Sequence, residues 1–158
     1  MDEVQRMLVE RSCEQLLYRY SRAVDFGHAS RLADLFTEDG TWEADDLLLS
    51  GRAQIRAHFT RREQVTRRVS RHVCTNVWID VVSPTQAQGL CYFLNFRHDR
   101  ADGDESLPVP ARLPKYSGEY HDDFVLTADG WHIARHHVDV TFLRPSTRGT
   151  TSAEEDAG

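Results

Sequence analysis

In SRHVCTNVWIDVV, residues 70–82, the periodicity of the chain changes. β-branched and aromatic residues dominate the run and no Gly or Pro interrupts it, so it predicts a strand. Upstream the spacing is helical. Residues 3–26 carry Val4, Met7, Leu8, Leu16, Leu17, Tyr20 and Val24 as an apolar stripe, and Gly27 ends the helix. Residues 29–36 predict a second, short helix with Leu32, Leu35 and Phe36 facing inward. TEDG (37–40) reads as a turn and TWEADDLLLS (41–50) as a strand pair or a strand with a loop. Gly51 opens a third helix carrying Ile55 and Phe59. Downstream, period two persists. Ala87–Arg97 predicts a second strand, Tyr116–Thr127 a third and Trp131–Leu143 the last, with Ala128-Asp129-Gly130 as the tight turn between the final pair.

Helices followed by consecutive hairpin-linked strands predict an α+β domain over residues 1–145, with helices packed on one face of a curved antiparallel sheet. Such a sheet encloses an apolar pocket, the usual seat of a small ligand. The polar, proline-bearing stretch 98–114 reads as a long hairpin loop able to cover that pocket. The small polar residues 146–158 predict a disordered tail.

The 158 residues carry a net charge of −6, which argues against a nucleic-acid partner, since phosphates require a concentrated basic face. Arg61, Arg62, Arg67, Arg68 and Arg71 are the one basic stretch and read as a solvated face. No apolar run is long enough to span a membrane, and the N-terminus lacks a signal-peptide layout, so the expected location is cytoplasmic. Cys13, Cys74 and Cys91 form no CxxC and read as buried thiols of a reducing compartment. The eight histidines include no HExxH pattern, and no Gly-rich phosphate loop is present. Neither a metal nor a cofactor is expected.

Three residues carry the candidate chemistry: Tyr20 and Asp25 at the end of the first helix, in RYSRAVD, and His72 at the start of the strand, in RHVCTN. An imidazole has an unperturbed pKa of about 6.5, suited to a base at neutral pH. A carboxylate holding one ring nitrogen fixes its tautomer, and a phenol can serve the second proton. Read singly, each residue has a structural alternative: a strand histidine, a helix-end carboxylate and a core aromatic. Counting by two along the last strand puts His132, Ala134, His136, Val138, Val140 and Phe142 on one, mostly apolar face, making His136 a candidate second pocket group. Trp42, Tyr92, Asn95, Phe96, Tyr116 and Tyr120 are candidate substrate-binding residues, with Trp78 assigned to packing. The apolar residues Val73, Val77, Ile79 and Val81 are assigned to the outer sheet face, where they would favour a homo-oligomer.

The strings LLYRYSRAVDFGHASRLADLFTEDGTWE, GRAQIRAHF, RHVCTNVWID and SGEYHDDFVLTADGWHI, in that order, resemble the SnoaL-like branch of the nuclear transport factor 2-like superfamily. The resemblance implies a cone-shaped fold, a curved sheet wrapped around helices with a pocket at the open end. Within the branch the pattern is most similar to scytalone dehydratase, bile-acid 7α-dehydratase and hexachlorocyclohexane dehydrochlorinase, which catalyse eliminations without a cofactor. The bile-acid enzyme's Tyr, Asp and His would fall on Tyr20, Asp25 and His72. The dehydrochlorinase's Asp–His dyad would fall on the last two and its pocket tryptophan on Trp42, while its lysine is replaced by Tyr20. Several members carry an arginine five residues after the last-hairpin tryptophan. Here that position is His136, and Arg135 stands one residue early.

The implied function is a dehydratase or isomerase acting on a hydrophobic, oxygenated ring compound such as a polyketide or steroid. A polyketide cyclase would use the same Asp and His. A non-catalytic binding or assembly module, including the small subunit of a ring-hydroxylating dioxygenase, is the alternative from another class. Relatives imply a trimer or dimer.

Overall fold

The computed structural model describes residues 1–145, so the expected tail at 146–158 lies outside the described residues. The first helix, α1 (Glu3–Asp25), starts with a capping box. Asp2 Oδ1 accepts from the Gln5 backbone N–H at 2.8 Å, and Gln5 Oε1 accepts from the Asp2 N–H at 3.1 Å. Its buried stripe is Val9, Cys13, Leu16, Leu17, Tyr20, Ser21 and Val24. Val4, Met7 and Leu8, expected in the apolar stripe, are exposed, and burial begins only at Val9. Gly27, at φ +77°, ends the helix, and the His28 N–H reaches back to the Ala23 carbonyl at 3.0 Å. That Schellman-type closure makes Asp25 the last helical residue.

A short 3₁₀ helix (Ala29–Leu35) leads into β1 (Phe36–Ala44), β2 (Leu47–Ser50) and α2 (Arg52–Glu63). Four long strands follow: β3 (Arg68–Ser83), β4 (Gln86–Asp99), β5 (Tyr116–Thr127) and β6 (Gly130–Leu143). The TEDG segment expected as a turn lies inside β1, where a register shift between Phe36 and Thr41 absorbs its irregularity. The sheet order is β2-β1-β6-β5-β4-β3. It is mixed rather than wholly antiparallel, because β1 pairs with β6 in parallel and sets Trp42 beside His136.

Three bulges re-aim side chains. In β3 the register shifts between Thr75 and Trp78, with Asn76 at φ +51°. Beyond that point Ile79 and Val81 turn into the core while Trp78 and Val82 are exposed, so the expected outer apolar row holds only for its start at Val73. In β6 an extra residue at Ala134 puts Ile133 and His136 inward and takes His132 off that face. A second shift follows where β5 pairs with the end of β6, and Phe142 is exposed. Gly118 permits the close approach there, since a Cβ would overlap the Asp139 carbonyl.

The core lies between the concave sheet face and the helices. Leu17, Leu32, Phe36, Ile55, Phe124 and Ile133 are among its fully buried members. At about 25 cal/mol per Å² of apolar surface, each such side chain contributes roughly 1.5–3 kcal/mol. Cys13 and Cys91 are buried, Cys74 is half-buried, and all three are free thiols. Burial pushes the Cys13 thiol up to about 12, so it packs as a neutral side chain. No helix of the described residues is long and apolar enough to cross a membrane.

Candidate active site

The helix closure at Gly27 aims Asp25 at the first turn-in of β3. Both carboxylate oxygens are engaged there. Oδ2 accepts from the His72 backbone N–H at 2.7 Å, and Oδ1 accepts from the Ser70 hydroxyl at 2.9 Å. The His72 ring completes the set, with Nδ1 at 2.7 Å from Oδ1. The Asp25 side chain is 5% exposed and that of His72 15%. Burial by itself would push the Asp25 carboxyl up. The hydrogen bonds and charge of His72, with the Ser70 hydroxyl, outweigh it and hold the carboxyl below its usual value. Asp25 is therefore an anion at neutral pH, and its proper partner at Nδ1 is an N–H. The other ring nitrogen, Nε2, then carries the lone pair and accepts from Asn95 Nδ2 at 2.8 Å.

His72 and Asn95 open onto a cavity of about 310 Å³ between α1, α2 and the sheet. Tyr20, Trp42, Phe59, Phe93, Tyr116 and Tyr120 supply aromatic walls, and Val24, Val138 and Val140 add aliphatic ones. Tyr20 is 4% exposed, and its Oη accepts from Trp42 Nε1 at 2.9 Å. That arrangement leaves the phenolic O–H to donate into the cavity. Burial raises the Tyr20 pKa strongly, against the opposing effect of the Trp42 hydrogen bond, so the phenol stays protonated. Tyr120 stacks on Phe93 with centroids 4.4 Å apart and rings nearly parallel, giving the cavity a flat floor.

Of the residues expected from sequence, Tyr20, His72, Trp42, Asn95, Tyr116 and Tyr120 line this cavity, and Asp25 stands directly behind His72. Tyr92 and Phe96 do not. β4 alternates, and with Phe93 and Asn95 inward these two point away, 46% and 41% exposed. His136 is not a pocket group either. It is fully buried under Tyr20 and Tyr120, with ring centroids at 4.5 and 4.7 Å, and its Nδ1 lies 2.7 Å from Asp122 Oδ1. The 98–114 loop contributes nothing to the cavity wall, although its Leu107 lines a neighbouring hollow behind Asp25.

Sequence reasoning missed Ser70, Phe93, Asp122, Arg62, Arg68 and Arg97. Ser70 and Phe93 carried a signal, since each is two residues from a recognised inward position, His72 and Asn95. Asp122 did not. Counting back from Thr127 opposite Gly130 would pair it with Arg135, and only the bulge at Ala134 brings it opposite His136. Arg62 and Arg68, read as solvated, line the cavity together with Arg97. Among the described residues no group of three or more His, Cys, Asp or Glu is arranged to hold a metal ion.

A curved sheet closed over helices, with an aromatic cavity and a buried Asp–His pair at its wall, defines a cone-shaped α+β domain of the nuclear transport factor 2-like type. The SnoaL-like domain family matches residues 5–137, and the chain belongs to that family. A provisionally assigned scytalone dehydratase from Novosphingobium aromaticivorans has the same fold, with 22% identity, 99% of this chain and 100% of that one covered, and a TM-score of 0.76. LinA is similar at 14% identity, 98% and 100% coverage and a TM-score of 0.73. The beta subunit of a provisionally assigned aromatic-ring-hydroxylating dioxygenase, also from Novosphingobium aromaticivorans, matches at 16% identity, 90% and 95% coverage and a TM-score of 0.71. A comparison with curated proteins finds no match.

Proposed function

We propose that the protein is a cofactor-independent acid–base enzyme, a dehydratase or isomerase acting on a hydrophobic, oxygenated ring metabolite of the polyketide or steroid kind. The observation that carries this reading is the Asp25 clamp on His72, which leaves Nε2 facing an aromatic cavity. In the proposed step, Nε2 removes a proton from carbon next to a ring carbonyl. The C–H electron pair moves toward the carbonyl oxygen and then forms the new double bond as the β-hydroxyl departs with its bonding pair. Asp25 stabilises the imidazolium, and the proton passes on to the departing hydroxide as water. Tyr20, held neutral by burial, donates a hydrogen bond to the oxygen on which charge develops. Asn95 yields its hydrogen bond to Nε2 as substrate enters. The fold is shared with a dioxygenase beta subunit, but an open cavity with intact polar groups favours an enzyme over an assembly module.

The sheet exposes Val73, Trp78, Val82, Tyr92, Phe96 and Phe142, an apolar set that supports a homo-oligomer, trimer or dimer. Sedimentation of the purified protein tests this, and a monomer at all concentrations would refute it.

The functional reading is tested by a crystal structure after soaking with a panel of β-hydroxy ring ketones. The expected complex has the carbonyl oxygen within hydrogen-bond reach of Tyr20 Oη and the acidic C–H facing His72 Nε2. A ligand seated away from both groups, or an empty cavity across the panel, would refute it.

A further inference from the structure

Three guanidinium groups, those of Arg62, Arg68 and Arg97, border the same cavity that His72 opens onto. Two of them share one carboxylate. Asp99 takes Arg68 at 2.8 and 3.2 Å and Arg97 at 3.2 and 2.6 Å, so both of its oxygens are occupied. The third is unmatched. The Arg62 side chain makes no hydrogen bond or ion pair with any described residue, although it is half-buried at the end of α2. Burial, with Arg68 and Arg97 nearby, lowers its pKa against the pull of Asp99 and Asp25. Asp45 also borders the cavity but sits exposed in the β1–β2 turn. A half-buried guanidinium with five donors and no acceptor is a site built for an anion, and the planar fork matches a carboxylate.

We propose that the ring substrate of this cavity carries a carboxylate, and that Arg62 binds it and thereby orients the ring against His72. The inference rests on the reading of the cavity as the substrate site and specifies the chemical class that enters it. A neutral steroid or polyketide would leave Arg62 unpaired, whereas an acid-bearing ring compound satisfies it. The Arg68–Asp99–Arg97 group, two cations on one carboxylate, adds a net positive wall that favours the anion's approach.

The test compares 2-naphthoate with its neutral counterpart 2-naphthamide by calorimetry on the full chain. Wild type is expected to prefer the carboxylate by about tenfold, with the preference shrinking as salt rises. Arg62→Met should cut that preference severalfold, to what Arg68 and Arg97 sustain, while leaving the naphthamide Kd within about twofold, and Arg62→Lys should keep more of it. Because the Arg62 side chain holds no other group in place, the variants should keep the wild-type melting midpoint. Equal binding of the two probes by wild type, an undiminished preference in Arg62→Met, or binding of neither probe would overturn the proposal. Turnover of neutral ring ketones in a protein showing no carboxylate preference would refute this inference and leave the acid–base enzyme standing. A carboxylate preference without any proton abstraction would do the reverse.

Discussion

Asp25 and His72 stand 47 residues apart in the chain and meet at 2.7 Å, joined a second time through the His72 backbone N–H. The double contact means that the carboxylate fixes the strand as well as the ring. The ring cannot rotate without breaking its Nδ1 contact, and β3 cannot slide without losing the backbone one.

Replacing Asp25 by Asn keeps the shape but puts an amide N–H₂ against donors. Activity should fall about 10²–10⁴-fold, through loss of the tautomer and of imidazolium stabilisation. Stability should fall by about 1–3 kcal/mol, since a buried donor is left facing donors. Steady-state rates and urea unfolding check the two effects separately.

The acid limb of stability carries the same signature. Asp25 is held below its usual value in the fold, and so is Asp99, whose burial is outweighed by Arg68 and Arg97. A carboxylate depressed in the folded state contributes stability above its unfolded pKa, about 3.9, and loses that contribution as pH falls through the lower folded value. Unfolding free energy should therefore decline below about pH 4, and Asp25→Asn should decline less steeply. Urea titrations between about pH 2 and 6 read the slopes, and identical slopes would contradict the assignment.

Tyr20→Phe removes the cavity O–H and retains the ring that packs on His136 and Phe59. The rate should drop about 10²-fold with little change in substrate affinity. Trp42→Phe removes the N–H that holds Tyr20 Oη and should lower stability by about 1 kcal/mol, with a smaller loss of rate. The order of the two rate effects, Tyr20 above Trp42, is the discriminating readout.

His136→Ala strips Asp122 of its partner in a fully buried pair and opens a void beneath Tyr20. A loss of about 3 kcal/mol of stability is expected. At a temperature where the variant remains folded, its rate should exceed that of any His72 variant, because His136 does not reach the cavity.

The local signals were strong where the structure is local. β5 runs over the residues its alternation predicts, Tyr116–Thr127, and Gly27 places Asp25 at a helix end. Asp25 and His72 were legible as candidates because a resemblance paired them, and the closure of α1 supplies the physical reason they meet. Long-range and irregular features left no such trace. The parallel β1–β6 pairing joins segments separated by β2, α2, β3, β4 and β5, so no turn residue announces it. One extra residue near Asn76 and another at Ala134 reverse the faces downstream, which is why Ile79, Val81 and His132 were assigned to the wrong sides. Tyr92 and Phe96 failed for a simpler reason, since β4 is regular and Asn95 already fixed its inward parity. Arg62 and Arg68 looked solvated because charge patterning carries no information about the cavity a helix end faces.

Proton abstraction by His72 is read most directly by solvent deuterium exchange at the acidic carbon of β-hydroxy ring ketones, followed by NMR for wild type and His72→Ala. With His72 as the base, the wild type should show exchange or elimination and the variant a loss of about 10²–10⁴-fold, with the melting midpoint showing that it remains folded. Exchange that persists undiminished in His72→Ala would contradict His72 as the base and, with it, the role assigned to Asp25.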